Sequence, residues 1–234
     1  MATSGSTDFK SNRLDIIKSA YEICRVIDPG EPLTETLIQS AAGVLNRMLK
    51  YYQTFGMPLW GIKRGSLTLT QSTQSYTCGT GGTGLTERPL RIIEAFYRNT
   101  NDDTPIQIIS REEYWGLGDK STEGIPNEIY YDPQLDLGVL YVFNPADVNA
   151  AGNTLELIYH RPFEDMDADT DNFDFPQEWE MAIELNLAAY LARRNGVNAV
   201  NTQIIKSDAI MALNQVIGWS VENVSTYFQP EMNP

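Results

Sequence analysis

Leu155-Glu-Leu-Ile-Tyr-His160, then Glu164-Asp-Met-Asp-Ala-Asp-Thr-Asp171, then Asp174-Phe-Pro-Gln-Glu-Trp179 read in order as strand, acidic linker and helix start. Leu155, Leu157 and Tyr159 alternate with other residues, the pattern of a half-buried strand. Glu164, Asp165, Asp167, Asp169, Asp171 and Asp174 repel one another and are too polar for a core. Asp174 is placed to cap the helix, and Pro176 suits a first turn that needs no N–H. Glu178 and Glu180 suit the positive end of the helix dipole. Trp179, Ile183, Leu187 and Tyr190 then recur at helical spacing until Gly196 stops the run.

Upstream, Leu14, Ile17, Tyr21 and Cys24 form one helical stripe, closed by Asp28-Pro-Gly30. Leu37, Ala41, Val44, Leu45, Met48 and Tyr52 form a second, and the short connection predicts a helical hairpin. Between Met57 and Pro162 the period becomes twofold. Strands are expected at Leu67 and Leu69, Arg91–Arg98, Ile106–Ile109, Ile129–Tyr131, Val139–Phe143 and Leu155–His160. Asn99-Thr-Asn-Asp-Asp103 reads as turn material, and Ser110 with Glu113 as a capping box for a short helix at Arg111–Leu117. Ile205, Ala209, Ala212 and Val216 predict a last helix over Asn201–Ile217.

These readings predict an α+β fold: an antiparallel helical bundle, a strand-rich insertion between its two helical pairs, and an extended C-terminal arm. The expected divisions are a disordered lead-in at 1–8, a bundle from 9–56 with 177–217, an insertion at 57–162, a linker at 163–176 and the arm at 218–234. Trp219, Tyr227 and Phe228 in the arm fall outside the helical stripes and are interface candidates.

Composition narrows the function. The 234 residues are 42% hydrophobic, enough for a sizeable core. No apolar run of about 18 residues predicts a membrane span. The first residues lack signal-peptide character, so synthesis in a cytoplasm without secretion is the expectation. The net charge of −14, from 17 basic and 31 acidic residues, argues against tight binding to a phosphate backbone. It is compatible with DNA sliding past an acidic wall.

Candidate chemistry is sparse. Asp167, Asp169, Asp171 and Glu178 match positions one, three, five and twelve of a calcium loop. Asn172 replaces the turn glycine, Asp174 the apolar eighth residue, and a strand precedes the loop where a helix belongs. A solvated linker with a helix cap is the preferred reading, so no metal and no cofactor is expected. Gly79-Thr-Gly-Gly-Thr-Gly84 lacks the Lys-Ser/Thr of a phosphate-binding loop and reads as a hairpin tip. Cys24 and Cys78 read as reduced thiols, and His160, the single histidine, as a surface or interface imidazole. Glu22 and Glu184 are the carboxylates that could approach a core face, as an acid–base pair would require.

Several pieces, in shared order, resemble the head-to-tail adaptor of short-tailed bacteriophages, of the tail accessory factor and tail tubular protein A type. They are Arg13-Leu-Asp-Ile-Ile-Lys-Ser-Ala20, Asp28-Pro-Gly-Glu31, Leu45-Asn-Arg-Met48 and Trp60, then Ile109-Ser-Arg-Glu-Glu-Tyr114, Lys120, Gly124-Ile-Pro126, Tyr130-Tyr-Asp132 and Gly138-Val-Leu-Tyr141 with Pro145. Leu157-Ile-Tyr-His-Arg-Pro162, Glu164-Asp165, and Phe175-Pro-Gln-Glu-Trp179 leading to Leu187-Ala188 complete the match over residues 9 to 196.

The resemblance implies a structural, non-enzymatic virion protein at the head–tail junction, assembled in the host bacterial cytoplasm. It implies a ring of this chain, usually twelvefold, beneath the portal protein. Such a ring presents a platform for the tail tube or nozzle, with tail fibres as a further partner. It extends the channel for double-stranded DNA in genome retention and ejection, without sequence-specific binding and without a membrane. Some members of the family have been linked to peptidoglycan cleavage, so a glycosidase-like virion enzyme is the alternative, with a calcium-binding structural module beside it.

Overall fold

The computed structural model describes residues 5–7, 9–54, 59–100 and 102–220. The chain divides into two compact units, Trp60–Phe163 and the segments on either side of it.

In the flanking unit, Asn12 opens α1 (Arg13–Ile23) with a reciprocal capping box to Asp15. Thr34 precedes α2 (Glu35–Tyr52), which buries Ile38, Ala41, Leu45, Met48 and Leu49 along one face. After a 3-10 turn at Gln177–Trp179, α4 (Glu180–Arg194) forms the centre of the unit, packed by α1, α2 and α5 (Ala199–Trp219). Its buried stripe is Ile183, Leu187, Ala188 and Leu191. It ends where Gly196 takes φ 72°, a left-handed turn that glycine adopts without strain, and Val197 N–H donates to the Ala192 carbonyl at 3.1 Å. α5 buries Ile205 and Ala209 but leaves Val200, Ile204 and Met211 more than half exposed.

The middle unit is a seven-stranded sheet: β1 (Ile62–Thr68), β2 (Ser75–Cys78), β3 (Arg91–Asn99), β4 (Asp102–Ile108), β5 (Glu128–Asp132), β6 (Gly138–Phe143) and β7 (Thr154–His160). Their spatial order is β1-β7-β3-β4-β5-β6-β2, antiparallel except for the short parallel pairing of β4 with β5. Leu67 from one edge strand and Tyr76 and Cys78 from the other share a single apolar core with Ile92, Ile129, Leu140, Leu155 and Leu157. A flat sheet cannot bring its two edges to one core, so this sheet curls around its own interior. Tyr76 Oη, on β2, accepts the Thr70 N–H at 2.9 Å just beyond β1. Gly138 is fixed by packing: a Cβ there would lie 2.0 Å from the Tyr131 Oη, which donates to the Pro89 carbonyl.

The expectation of a helical bundle carrying a strand-rich insertion is corrected by this architecture. The protein is a mixed α/β fold, with a curled seven-stranded sheet and five α-helices among the described residues. The strands enclose their own core and do not depend on helices to cover them. One helix, α3 (Arg111–Gly116), packs on β5 within the sheet unit. Smaller corrections follow. Ser75–Cys78 pairs with β6 as a strand that its few residues did not announce. Asp102 and Asp103, read as turn, pair with Asn99 and Arg98 in the β3–β4 hairpin. α5 continues through Trp219, where an arm was expected to begin; residues 221–234, the rest of that arm, and most of the lead-in at 1–8 lie outside the described residues.

Candidate functional site

The acidic linker wraps the start of α1. Arg13, 6% exposed, donates from Nη1 to the carbonyls of Met166 and Asp167, each at 2.8 Å, and its Nη2 pairs with Asp169. The first N–H groups of α1 are taken as well: Arg13 N donates to the Asp171 carbonyl at 2.9 Å and Leu14 N to the Asp169 carbonyl at 3.2 Å. Helix starts leave such donors unmet and carry a positive field. An acidic loop supplies both acceptors and negative charge. Asn46 on α2 grips the same loop, donating to the Met166 carbonyl and accepting its N–H, and Lys50 pairs with Asp165 at 3.0 Å.

This places each calcium candidate. Asp169 faces Arg13. The Asp171 carboxylate accepts the N–H groups of Asp167 and Ala168 at 2.9 and 2.7 Å, folding the loop onto itself. Glu178 is exposed on the 3-10 turn. Among the described residues no group of three His, Cys, Asp or Glu side chains is placed to hold a metal ion. Asp174 accepts the Glu164 N–H at 3.1 Å and so helps to close the linker, and Pro176 directly precedes the 3-10 turn.

The other candidates have equally local settings. Gly79, Gly82 and Gly84 donate their N–H groups to the Leu85, Gly79 and Thr77 carbonyls, which ties the glycine-rich tip together. Cys24 and Cys78 are buried free thiols, and burial pushes both pKa values up. Burial, then the Arg91 charge, holds His160 below its ordinary pKa, and its Nδ1 is buried with no hydrogen-bond partner among the described residues. Glu22 accepts the Gly30 N–H at 3.3 Å. Glu184 has a raised pKa, chiefly from burial, with the charge of Glu180 adding and a Ser19 hydrogen bond opposing. Glu180 itself, 8% exposed, accepts the Ser11 hydroxyl. Both carboxylates thus face hydroxyls of the α1 segment, and neither lines any of the clefts described next.

Three shallow clefts stand out. Two adjoin on the sheet, where β3 and β4 pair only from Ala95–Ile106 outward and splay apart toward Arg91. The larger, about 540 Å³, is bordered by Ile92, Ile93, Ile108, Tyr130 and His160; the smaller, about 440 Å³, shares Ile93 and Ile108. The third, about 330 Å³, lies between α2 and α4. Trp219, the one interface candidate among the described residues, is 81% exposed at the end of α5; Tyr227 and Phe228 lie outside them. Among the described residues no helix is long and apolar enough to cross a membrane.

Val200, Ile204, Met211 and Trp219 leave apolar surface exposed along α5. A family profile described as SU10 adaptor protein matches residues 13–220, and the chain belongs to that family of adaptor proteins. Among solved structures, one similar chain comes from a structure described as the neck of an empty GTA particle, computed with C6 symmetry. It is 11% identical, covers 94% of this chain and 97% of its own, and superimposes with a TM-score of 0.29, too low to carry an argument about fold or role. No curated protein sequence matches the chain. The sequence reading of an adaptor therefore holds at the level of the family; the short-tailed, tubular type is a finer statement that the match does not reach.

Proposed function

We propose that this chain is a head-to-tail adaptor of a bacteriophage, forming a ring that joins the portal to the tail tube or nozzle and extends the DNA channel. The observation that carries the reading is the family match over residues 13–220. The charge of the chain fits the role: with 31 acidic against 17 basic residues, a ring lumen repels the phosphate backbone and lets DNA pass without sticking. Exposed apolar residues on α5 supply surface for subunit or portal contact, as does Trp219. Twelve subunits, retention and ejection of the genome, and the tail-side partners belong to this proposal.

The test is electron microscopy and sedimentation of the purified chain, alone and mixed with the portal protein of the same virus. Rings that grow with concentration, or on the portal, are expected. A monomer that ignores the portal at every concentration overturns the reading.

A further inference from the structure

We propose that the cleft between α2 and α4 receives residues 221–234 of a second copy of this chain. The inference deepens the ring reading and rests on it. The cleft has an apolar floor of Val44 and Met48, flanked by Tyr51 and Tyr190 and by Arg47 and Arg194. Both tyrosines are about half exposed. Neither arginine makes an ion pair among the described residues, although the chain holds 31 acidic residues against 17 basic ones. Exposed Tyr and Arg around an apolar floor is the composition of an anchor site, and two open guanidinium groups select carboxylates.

The segment Val221-Glu-Asn-Val-Ser-Thr-Tyr-Phe-Gln-Pro-Glu-Met-Asn-Pro234 has the complementary chemistry. It carries Glu222 and Glu231, no Lys or Arg, and Tyr227, Phe228 and Met232 for the apolar floor.

Polarity favours a neighbour as the donor, although the segment is long enough to reach its own cleft as well. Arg194 closes α4, beside the short Asn195–Asn198 turn into α5. The short turn makes the two helices antiparallel, so α5 carries the chain about 31 Å back along its partner. The segment therefore leaves at the opposite end of the hairpin from the cleft. Donor and acceptor at opposite ends of one subunit make a head-to-tail contact, the kind that repeats around a ring. Fourteen residues span up to about 46 Å, ample for an adjoining copy.

The test is a charge exchange read by sedimentation and microscopy under conditions where the wild type forms rings. Arg47→Glu with Arg194→Glu, and separately Glu222→Lys with Glu231→Lys, should each abolish rings while leaving the melting temperature of the monomer unchanged. Mixing the two variants should restore rings in which they alternate, because each segment then meets a complementary neighbour. Wild-type rings that persist in both variants overturn the inference and leave the ring reading standing. A wild type that forms no ring, alone or on the portal, overturns both. Rescue only when both reversals sit on one chain, and never on mixing, means that the segment fills its own cleft and overturns the second-copy contact. Should a reversal itself lower the melting temperature, Tyr190→Cys with Phe228→Cys takes its place: mild oxidation is expected to yield disulfide-linked multimers, and their absence overturns the inference.

Discussion

At the scale of single residues, Arg13 is the side chain on which most depends. Its guanidinium is buried and satisfies two backbone carbonyls and one carboxylate of the linker. Arg13→Met keeps much of the volume but removes the donor to the Asp167 carbonyl and the Asp169 carboxylate, leaving the Met166 carbonyl only its bond from Asn46, so a loss of about 1–3 kcal/mol is expected in urea unfolding. Stability equal to wild type would show that the clamp contributes nothing. Glu184 gives a prediction with a definite pH sense. Burial raises its pKa in the folded state above the unfolded value, so the native protein binds its proton more readily. The penalty is absent below the unfolded pKa and complete above the raised native one. Glu184→Gln should therefore raise the melting temperature at neutral pH, with the gain shrinking as the solution is acidified toward the ordinary carboxylate range. A gain that grew on acidification would reverse the assignment. The sequence does single out Glu184 as a carboxylate able to approach a core face, whereas the role of Arg13 is not legible there. Arg13 meets its partners more than 150 positions away, and no local pattern records such a contact.

Elements were more legible where their signals are local. The Ser110–Glu113 capping box, the alternation in β7 and the Gly196 stop all lie where spacing placed them. β2 escaped because four residues beside a glycine-rich tip are too few to show a period. The twofold period marks the stretch as strands but does not show that they form a sheet with its own core, since alternation reports that one face is buried and not against what. For α4 the reading is testable at its centre. Leu187, fully buried, should cost about 2–5 kcal/mol when changed to Ala, measured by denaturant unfolding. A cost near zero would remove that face from the core. For the linker, Asp167→Asn is the cleanest probe of the calcium pattern, because Asp169 and Asp171 already hold the loop together. We expect calcium to leave the melting temperature of wild type and variant alike. A calcium-dependent rise that the variant loses would make the linker a calcium site.

At the scale of the whole molecule, net charge sets the behaviour toward DNA. With −14 on each subunit, linear duplex DNA is expected to show no mobility shift with the assembled protein near physiological salt. A shift that weakens steeply as salt rises would point to a concentrated basic surface and would change the account of the channel.

The Arg13 clamp also imposes an order in time. The ribosome adds about 5–20 residues per second, so Asp169, 156 positions later, is made about 8–30 s after Arg13. The sheet unit, Trp60–Phe163, is wholly synthesised within that interval and encloses its own core. α1 and α2 meanwhile have only each other to pack against, because α4, which covers most of the α1 stripe, is younger still. The sheet unit is thus complete before the flanking unit can close, and the nascent chain is most vulnerable to wrong association while its first two helices have only each other to pack upon.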